Sequence, residues 1–293
     1  MPQISLSKDS DIFYIERNPA RALPASARTV LLLHGLGANA TSWQLQIPEI
    51  EQAGYRVIAP DVRGFGRSSY RGGGMSPSAL AGDIAALMER LDTGRANVVG
   101  ISMGGVIALQ MVLDHPELVD KLILVNTFAS LRPKSISVWL YFAWRFILIH
   151  LIGFSTQARA VTKRIFPKSD QEELRQELYR EIMQANPSAY RSVMIAMARF
   201  DVSNRLQEIQ APTLILTGED DTTVPPGNQA VLVAGIPNAR QIIIPDSGHA
   251  MIAEQTEEFN RLLIEFLNEK MPGINQTAGA QPKTLKSLFR RSV

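Results

Sequence analysis

Cysteine is absent from all 293 residues. That omission excludes disulfides, thiolate zinc sites and a cysteine nucleophile, so covalent chemistry has to come from another side chain. Histidine is scarce: an imidazole base can only be His34, His115, His150 or His249. A dominant charge of one sign is missing as well. The formal balance is +2, and the segment after Gly273 holds Lys283, Lys286, Arg290 and Arg291 without one acidic residue, so the rest of the chain is net acidic. A nucleic-acid footprint on the folded part is therefore not expected. Met1 to Phe13 carries Lys8, Asp9 and Asp11 and no sustained apolar core, which speaks against a signal peptide and for a cytoplasmic location. Gly35-Leu36-Gly37 is not followed by Gly-Lys-Ser/Thr or a full dinucleotide fingerprint, so no phosphate-bearing cofactor and no metal is expected.

What is present is a rhythm. Ile12–Ile15 reads as a first strand, and Thr29–Leu33, Arg56–Ala59, Asn97–Val99, Leu122–Val125, Pro212–Leu216 and Gln241–Ile244 as further strands, mostly continuous apolar runs of the kind buried on both faces. Helical stretches alternate with them. Ser76 and Pro77 start one in which Leu80, Ile84, Leu87 and Leu91 share a face. The predicted fold class is α/β, a mostly parallel sheet with helices on both faces, which binds ligands beyond the carboxyl ends of its strands. Between Asn126 and about Arg205 the rhythm breaks, for longer than a structureless loop inside a domain allows. We read 1–129 and 206–270 as the core, 130–205 as an inserted helical cap and 271–293 as a disordered basic tail. Within the cap, Ser169 and Glu172 read as a capping box for a helix over 170–185, and Asn186-Pro187 starts the next. Ile136–Phe154 is almost wholly apolar. Arg145 near its middle would cost on the order of 3 kcal/mol in a bilayer, and the run lies inside one sheet domain, so it reads as a cleft-lining helix, with contact to a membrane or a partner as the second reading.

The chemistry centres on Gly100-Ile101-Ser102-Met103-Gly104-Gly105, where an apolar strand end meets a helix. Gly-x-Ser-x-Gly at such a junction makes a turn so sharp that the serine hydroxyl is pushed out above the sheet, which makes Ser102 the candidate nucleophile. A serine needs a base, and the base needs an orienting carboxylate. His249 follows the last strand at the same edge; His34, His115 and His150 each have a structural reading. The acid comes from Glu219-Asp220-Asp221 after another strand, where the spacing from Gly218 to Pro225 favours Asp221, with Asp220 as the alternative. Oxyanion donors are expected at the N–H groups of Met103 and Leu36. Asp61 and Arg63 read as a structural pair. Trp139, Phe142, Phe146 and Met194 are the candidate substrate-binding residues of the cap.

His34-Gly35, Asp61-Val62-Arg63-Gly64-x-Gly66-x-Ser68, the Ser102 elbow, Gly218-x-x-Asp221-x-x-x-Pro225 and Gly248-His249 together resemble the α/β-hydrolase superfamily in its capped esterase and lactonase branch, over about residues 10 to 268. The resemblance implies an eight-stranded sheet, a helical cap after the sixth strand and a cofactor-free Ser-His-Asp mechanism. Serine at the elbow separates the chain from the haloalkane dehalogenases and epoxide hydrolases. Asn126-Thr127 and the Ser-Met-Gly-Gly run are similar to 3-oxoadipate enol-lactonases and carboxylesterases, while the greasy cap departs from what a dicarboxylate substrate wants. The expectation is a carboxylesterase for short- to medium-chain or aromatic esters, a small-molecule partner. The rivals are a lactone or carbon–carbon bond hydrolase and, from another class, a ligand-binding receptor on the same fold.

Overall fold

The apolar runs pair into one eight-stranded sheet. The computed structural model describes residues 3–7, 10–19, 28–131 and 153–269. Its strands are β1 (Gln3–Ser7), β2 (Ser10–Arg17), β3 (Thr29–Leu33), β4 (Arg56–Pro60), β5 (Ala96–Ile101), β6 (Val119–Val125), β7 (Thr213–Gly218) and β8 (Ala239–Ile244), in the order β1-β2-β4-β3-β5-β6-β7-β8. β1 is antiparallel to β2 and β2 to β4; the remaining pairs are parallel. β1 escapes the sequence reading because it alternates polar and apolar residues on a half-exposed edge, without the continuous apolar run that marks the central strands.

Register decides where chemistry can occur. Leu33 sits opposite Gly100, Ile101 opposite Val125, Val125 opposite Leu216 and Gly218 opposite Ile244. The carboxyl ends of β3, β5, β6, β7 and β8 are therefore level, and their following loops emerge along one rim. Helices α1 (Ile47–Gln52), α2 (Pro77–Arg90), α3 (Met103–Asp114) and, later in the chain, those over Pro226–Gly235 and Thr256–Asn268 cover the sheet. Side chains of α2 and α3 share one buried cluster with Leu31, Leu33 and Leu124, and those of α1 and the last helix share another with Val30, Leu32 and Ile123. Alternate residues of one strand thus feed opposite layers, as a doubly covered sheet requires.

Between β6 and β7 lie α4 (Phe154–Ile165), a 3₁₀ turn over Ser169–Gln171, α5 (Glu172–Gln184) and α6 (Pro187–Arg199). Asn186 caps α6 by accepting from the N–H groups of Ser188 and Ala189, as its sequence suggests. The capping box before α5 is not the expected one: Gln171 reaches back and accepts from Lys168 N–H at 3.0 Å, so the α-helix starts at Glu172. A glutamine has the length to close that loop, and it displaces the Ser169–Glu172 pairing by one residue. Most of Ile136–Phe154, with Trp139, Phe142 and Phe146, lies outside the described residues, as does the tail from 270. No helix among the described residues is long and apolar enough to cross a membrane.

Candidate active site

The junction of β5 and α3 sets the site. Ser102 has φ +54°, an unfavourable backbone for a residue with a Cβ, and it holds that conformation because its N–H donates to Val125 O and its own C=O accepts from Val106 N–H and from Thr127 Oγ1. The turn leaves no room for side chains around it. A Cβ at Gly104 would run into the carbonyl of Leu33, and one at Gly100 into the carbonyl of Gly104, so α3 starts almost in contact with the end of β3. The loop after β3 runs beside the serine: a Cβ at Gly35 would sit 3.8 Å from Ser102 Cβ. Its neighbour Leu36 lines the cavity into which Ser102 opens, and Met103 is the first residue of α3.

His249 and Asp221 arrive from β8 and β7. His249 Nδ1 lies 2.8 Å from Asp221 Oδ2, while Asp221 Oδ1 accepts from the N–H groups of Thr223 and Val224 at 2.8 and 2.9 Å. Both oxygens of a buried carboxylate are thus engaged, and the imidazole is held through Nδ1, which leaves Nε2 without a partner among the described residues. Asp220 and Glu219 are exposed. Ser102 and His249 line the same cavity. Three of the candidate residues that the sequence scatters over nearly 150 positions therefore meet on one rim, with Leu36 and Met103 beside them.

Asn126 is the residue that sequence reasoning missed. Its Nδ2 donates to the carbonyls of Gly248 and His249 at 2.9 Å each, and its Oδ1 accepts from Gly218 N–H at 2.8 Å. One side chain at the end of β6 thus ties the acid strand to the histidine loop. The signal was visible in Asn126-Thr127 after a buried strand, where a polar pair has no place unless it satisfies something. Glu254 supports the same loop, accepting from Gly248 N–H at 2.9 Å and from Gln171 Nε2 at 2.9 Å; burial raises its pKa. His34 has the structural role its position suggests. Its Nδ1–H donates to Gly35 O, its Nε2 accepts from Val62 N–H, and burial lowers its pKa, so it is neutral.

Asp61 and Arg63 do not pair. Asp61 accepts from the N–H groups of Ala40 and Arg67, and Arg63 meets Asp83 at 2.7 Å. A carboxylate surrounded by turn amides needs no cation, which leaves the guanidinium for α2. Met194 does not line the cavity. It packs against the core, and α6 turns Tyr190 and Met197 to the cavity instead.

The cavity measures about 200 Å³. Apart from Ser102 and His249 its wall is largely apolar, built by Phe128, Leu131, Val161, Ile165 and Phe166 among others, with Leu174, Glu177, Leu178 and Glu181 from α5. The Glu181 carboxyl lies 2.9 Å from both Thr41 Oγ1 and Ser42 Oγ, and burial pushes its pKa up to about 7. Such a rim brings a serine hydroxyl and an imidazole bound to a buried carboxylate to one largely apolar cavity, an arrangement able to perform acyl transfer.

The likeness to known proteins follows the same lines. The chain is 33% identical over 258 residues, 86% of its own length and 96% of the relative's, to RutD of Variovorax paradoxus (strain S110), a provisionally named carbamate hydrolase. It is 32% identical over 286 residues, 90% and 94% of the two chains, to the 2-hydroxy-6-oxo-6-phenylhexa-2,4-dienoate hydrolase of Comamonas testosteroni. Among solved structures, the enol-lactonase from Burkholderia xenovorans LB400 superposes with a TM-score of 0.81 at 25% identity, covering 92% of this chain and all of the other. A family model described as serine aminopeptidase, S33, matches residues 24–256. The chain belongs to that family, within the α/β-hydrolase superfamily, and it is a hydrolase.

Proposed function

We propose that this hydrolase cleaves carboxylic esters through an acyl-enzyme on Ser102. The observation that carries the reading is the backbone-strained Ser102 opening into an apolar cavity that it shares with the Asp221-bound His249. His249 Nε2 accepts the Ser102 proton as Oγ bonds to the acyl carbon, and the carbonyl electrons move to an oxyanion held by the N–H groups of Leu36 and Met103. Collapse expels the alcohol, which takes the proton from the imidazolium. Water, deprotonated by the same base, then releases the acid. Asp221 keeps Nδ1–H in place and stabilises the imidazolium.

The segment between β6 and β7 acts as a cap, and the cavity it closes suits small neutral acyl groups, short- to medium-chain or aromatic. The names of the similar proteins divide between a carbamate hydrolase, a dienoate hydrolase and an enol-lactonase, and a dienoate carries a carboxylate. Glu177 and Glu181 in this wall oppose a second negative charge, which favours an uncharged ester over a dienoate. A neutral lactone is the second reading, supported by the superposition on an enol-lactonase.

A panel of p-nitrophenyl esters, carbamates, uncharged lactones and diketones separates these. We expect fastest turnover on the esters, loss of on the order of 10³-fold or more in Ser102→Ala, and labelling by a fluorophosphonate at the peptide containing Ser102. Retained turnover in Ser102→Ala, or single-turnover capture of every ligand, overturns the assignment; the latter is what a receptor shows.

A further inference from the structure

α5 presents Leu174, Glu177, Leu178 and Glu181 to the cavity, a spacing of i, i+3, i+4 and i+7 that is one face of a helix. Two leucines there need no comment. Two carboxyl groups between them do, because Glu181 is only 7% exposed and its hydrogen-bond partners among the described residues are hydroxyls, with no cation at bonding distance. Burying a carboxylate in that setting is unfavourable unless function retains it.

Asn39 accepts from Thr41 N–H through Oδ1, which fixes the orientation of its amide, and Thr41 Oγ1 lies 2.7 Å from that same Oδ1. The single hydroxyl proton of Thr41 is satisfied there. Glu181 Oε1, 2.9 Å from Thr41 Oγ1, then completes the network best as a carboxylic acid donating to Thr41, while Ser42 donates to Oε2. Removing the acid proton leaves a negative charge at the cavity wall with Glu177 and Asp61 nearby, and both hold its pKa high, near 7, in addition to burial. The charged groups around it are Asp61 and Arg67 from the loop after β4, Glu177 and Arg180 on α5 itself, and His249 across the cavity.

We propose that Glu181 is a specificity-determining residue, a charge filter that excludes carboxylate-bearing substrates from the Ser102 cavity and admits neutral ones, and best of all those carrying a protonated amine in the arm beside α5. The inference rests on this cavity being the substrate site. An ammonium group there supplies a cation that none of the described residues places at bonding distance from Glu181, and it donates to a carboxylate that Ser42 Oγ already orients. A substrate carboxylate meets like charge at a largely apolar wall. It binds only if Glu181 keeps its proton.

The test is a binding measurement that needs no turnover, so it stands apart from the ester assignment. Phenylbutylamine and phenylbutyrate have similar size and keep opposite charges across the neutral range. Their dissociation constants are measured by calorimetry on the full chain carrying Ser102→Ala and His249→Ala, which removes the imidazole facing the cavity, at about pH 6 and about pH 8.5. We expect the amine to bind about tenfold or more tighter than the carboxylate at the higher pH, with the preference shrinking several-fold at the lower one. Adding Glu181→Gln, whose amide can still engage both hydroxyls, is expected to flatten the pH dependence and bring the two ligands within about threefold. A purely structural clasp between α5 and the Thr41–Ser42 turn would weaken both ligands alike and leave their ratio unchanged. That outcome, a ratio independent of pH in the parent protein, or binding of neither ligand overturns the proposal. A chain that cleaves no ester yet shows the ratio change loses the proposed function and keeps the filter; one that cleaves esters with an unchanged ratio loses the filter alone.

Discussion

The two walls of the Ser102 cavity are built on opposite plans. The sheet-side wall is fixed from the backbone outward: Ser102 is held by Val125, Val106 and Thr127, and Asp221 and His249 by Thr223, Val224 and Asn126, just beyond the strand ends. The helical wall is held mainly by side chains. Glu181 reaches Thr41 and Ser42, Gln171 reaches Glu254, and Glu177 accepts from Gln44, while many of the apolar residues of α4 and α5 stay half-buried. The first plan gives the precision that bond-making needs; the second gives a surface that can differ between relatives without disturbing the chemistry. A residue on the sheet side should therefore change rate on every substrate, and one on the helical side should change which substrate is preferred.

The largest test of that division is Asp221→Asn. The amide can keep a hydrogen bond to the imidazole but favours the wrong tautomer, so kcat should fall on the order of 10³- to 10⁴-fold for all esters, with little change in their relative order. Steady-state kinetics on two acyl chain lengths checks it. A change in the ratio between those substrates comparable to the loss in rate would break the comparison.

Glu181→Gln tests the helical wall through stability. The folded-state pKa of Glu181 is raised from 4.5 to about 7, so the native protein holds this proton more tightly than the unfolded chain does. Its contribution to stability is fully present below pH 4.5 and is lost as pH rises through about 7. By linkage the loss amounts to up to about 3 kcal/mol. His34 works in the opposite sense: burial lowers its pKa, so its contribution is present above the ordinary histidine range and lost as pH falls. The difference between the parent and Glu181→Gln in urea unfolding cancels His34 and should grow in favour of the variant from about pH 5 to about pH 8. A difference independent of pH would show that this carboxyl does not titrate in the fold.

The same division governs what could be read before the structure was known. The strands that carry the site announce themselves because a parallel strand buried on both faces has to be continuously apolar, so the polar residues just beyond its end stand out. Ser102, Asp221 and His249 become candidates in that way, and His34 a structural histidine. Asn126 does not, since its role is to accept from the end of β7 and donate to the histidine loop, a neighbourhood that only the folded chain creates. On the helical side a period of 3.6 identifies helices but not which helix face meets the cavity. Met194 shares α6 with Tyr190 and Met197, which line the cavity where it does not, and nothing in the spacing of Glu177 and Glu181 marks them as wall residues. The pairing of Asp61 with Arg63 failed for a related reason: proximity in sequence says little when turn amides compete for the carboxylate.

The smallest expected effect is the most selective. Leu178 lines the cavity one helical turn from Glu181 and is only partly buried. Truncation to Ala leaves Ser102, His249 and Asp221 untouched and adds room at the helical wall. Because one methylene in an apolar pocket is worth about 1 to 3 kcal/mol of discrimination at most, the ratio of kcat/KM for a longer over a shorter acyl chain should rise about three- to tenfold. The change should lie mainly in KM, since the added room is filled equally in the ground state and the transition state. A uniform fall in kcat across the ester series would mean instead that α5 helps to position the reacting groups, and the two walls would then have to be treated as one device.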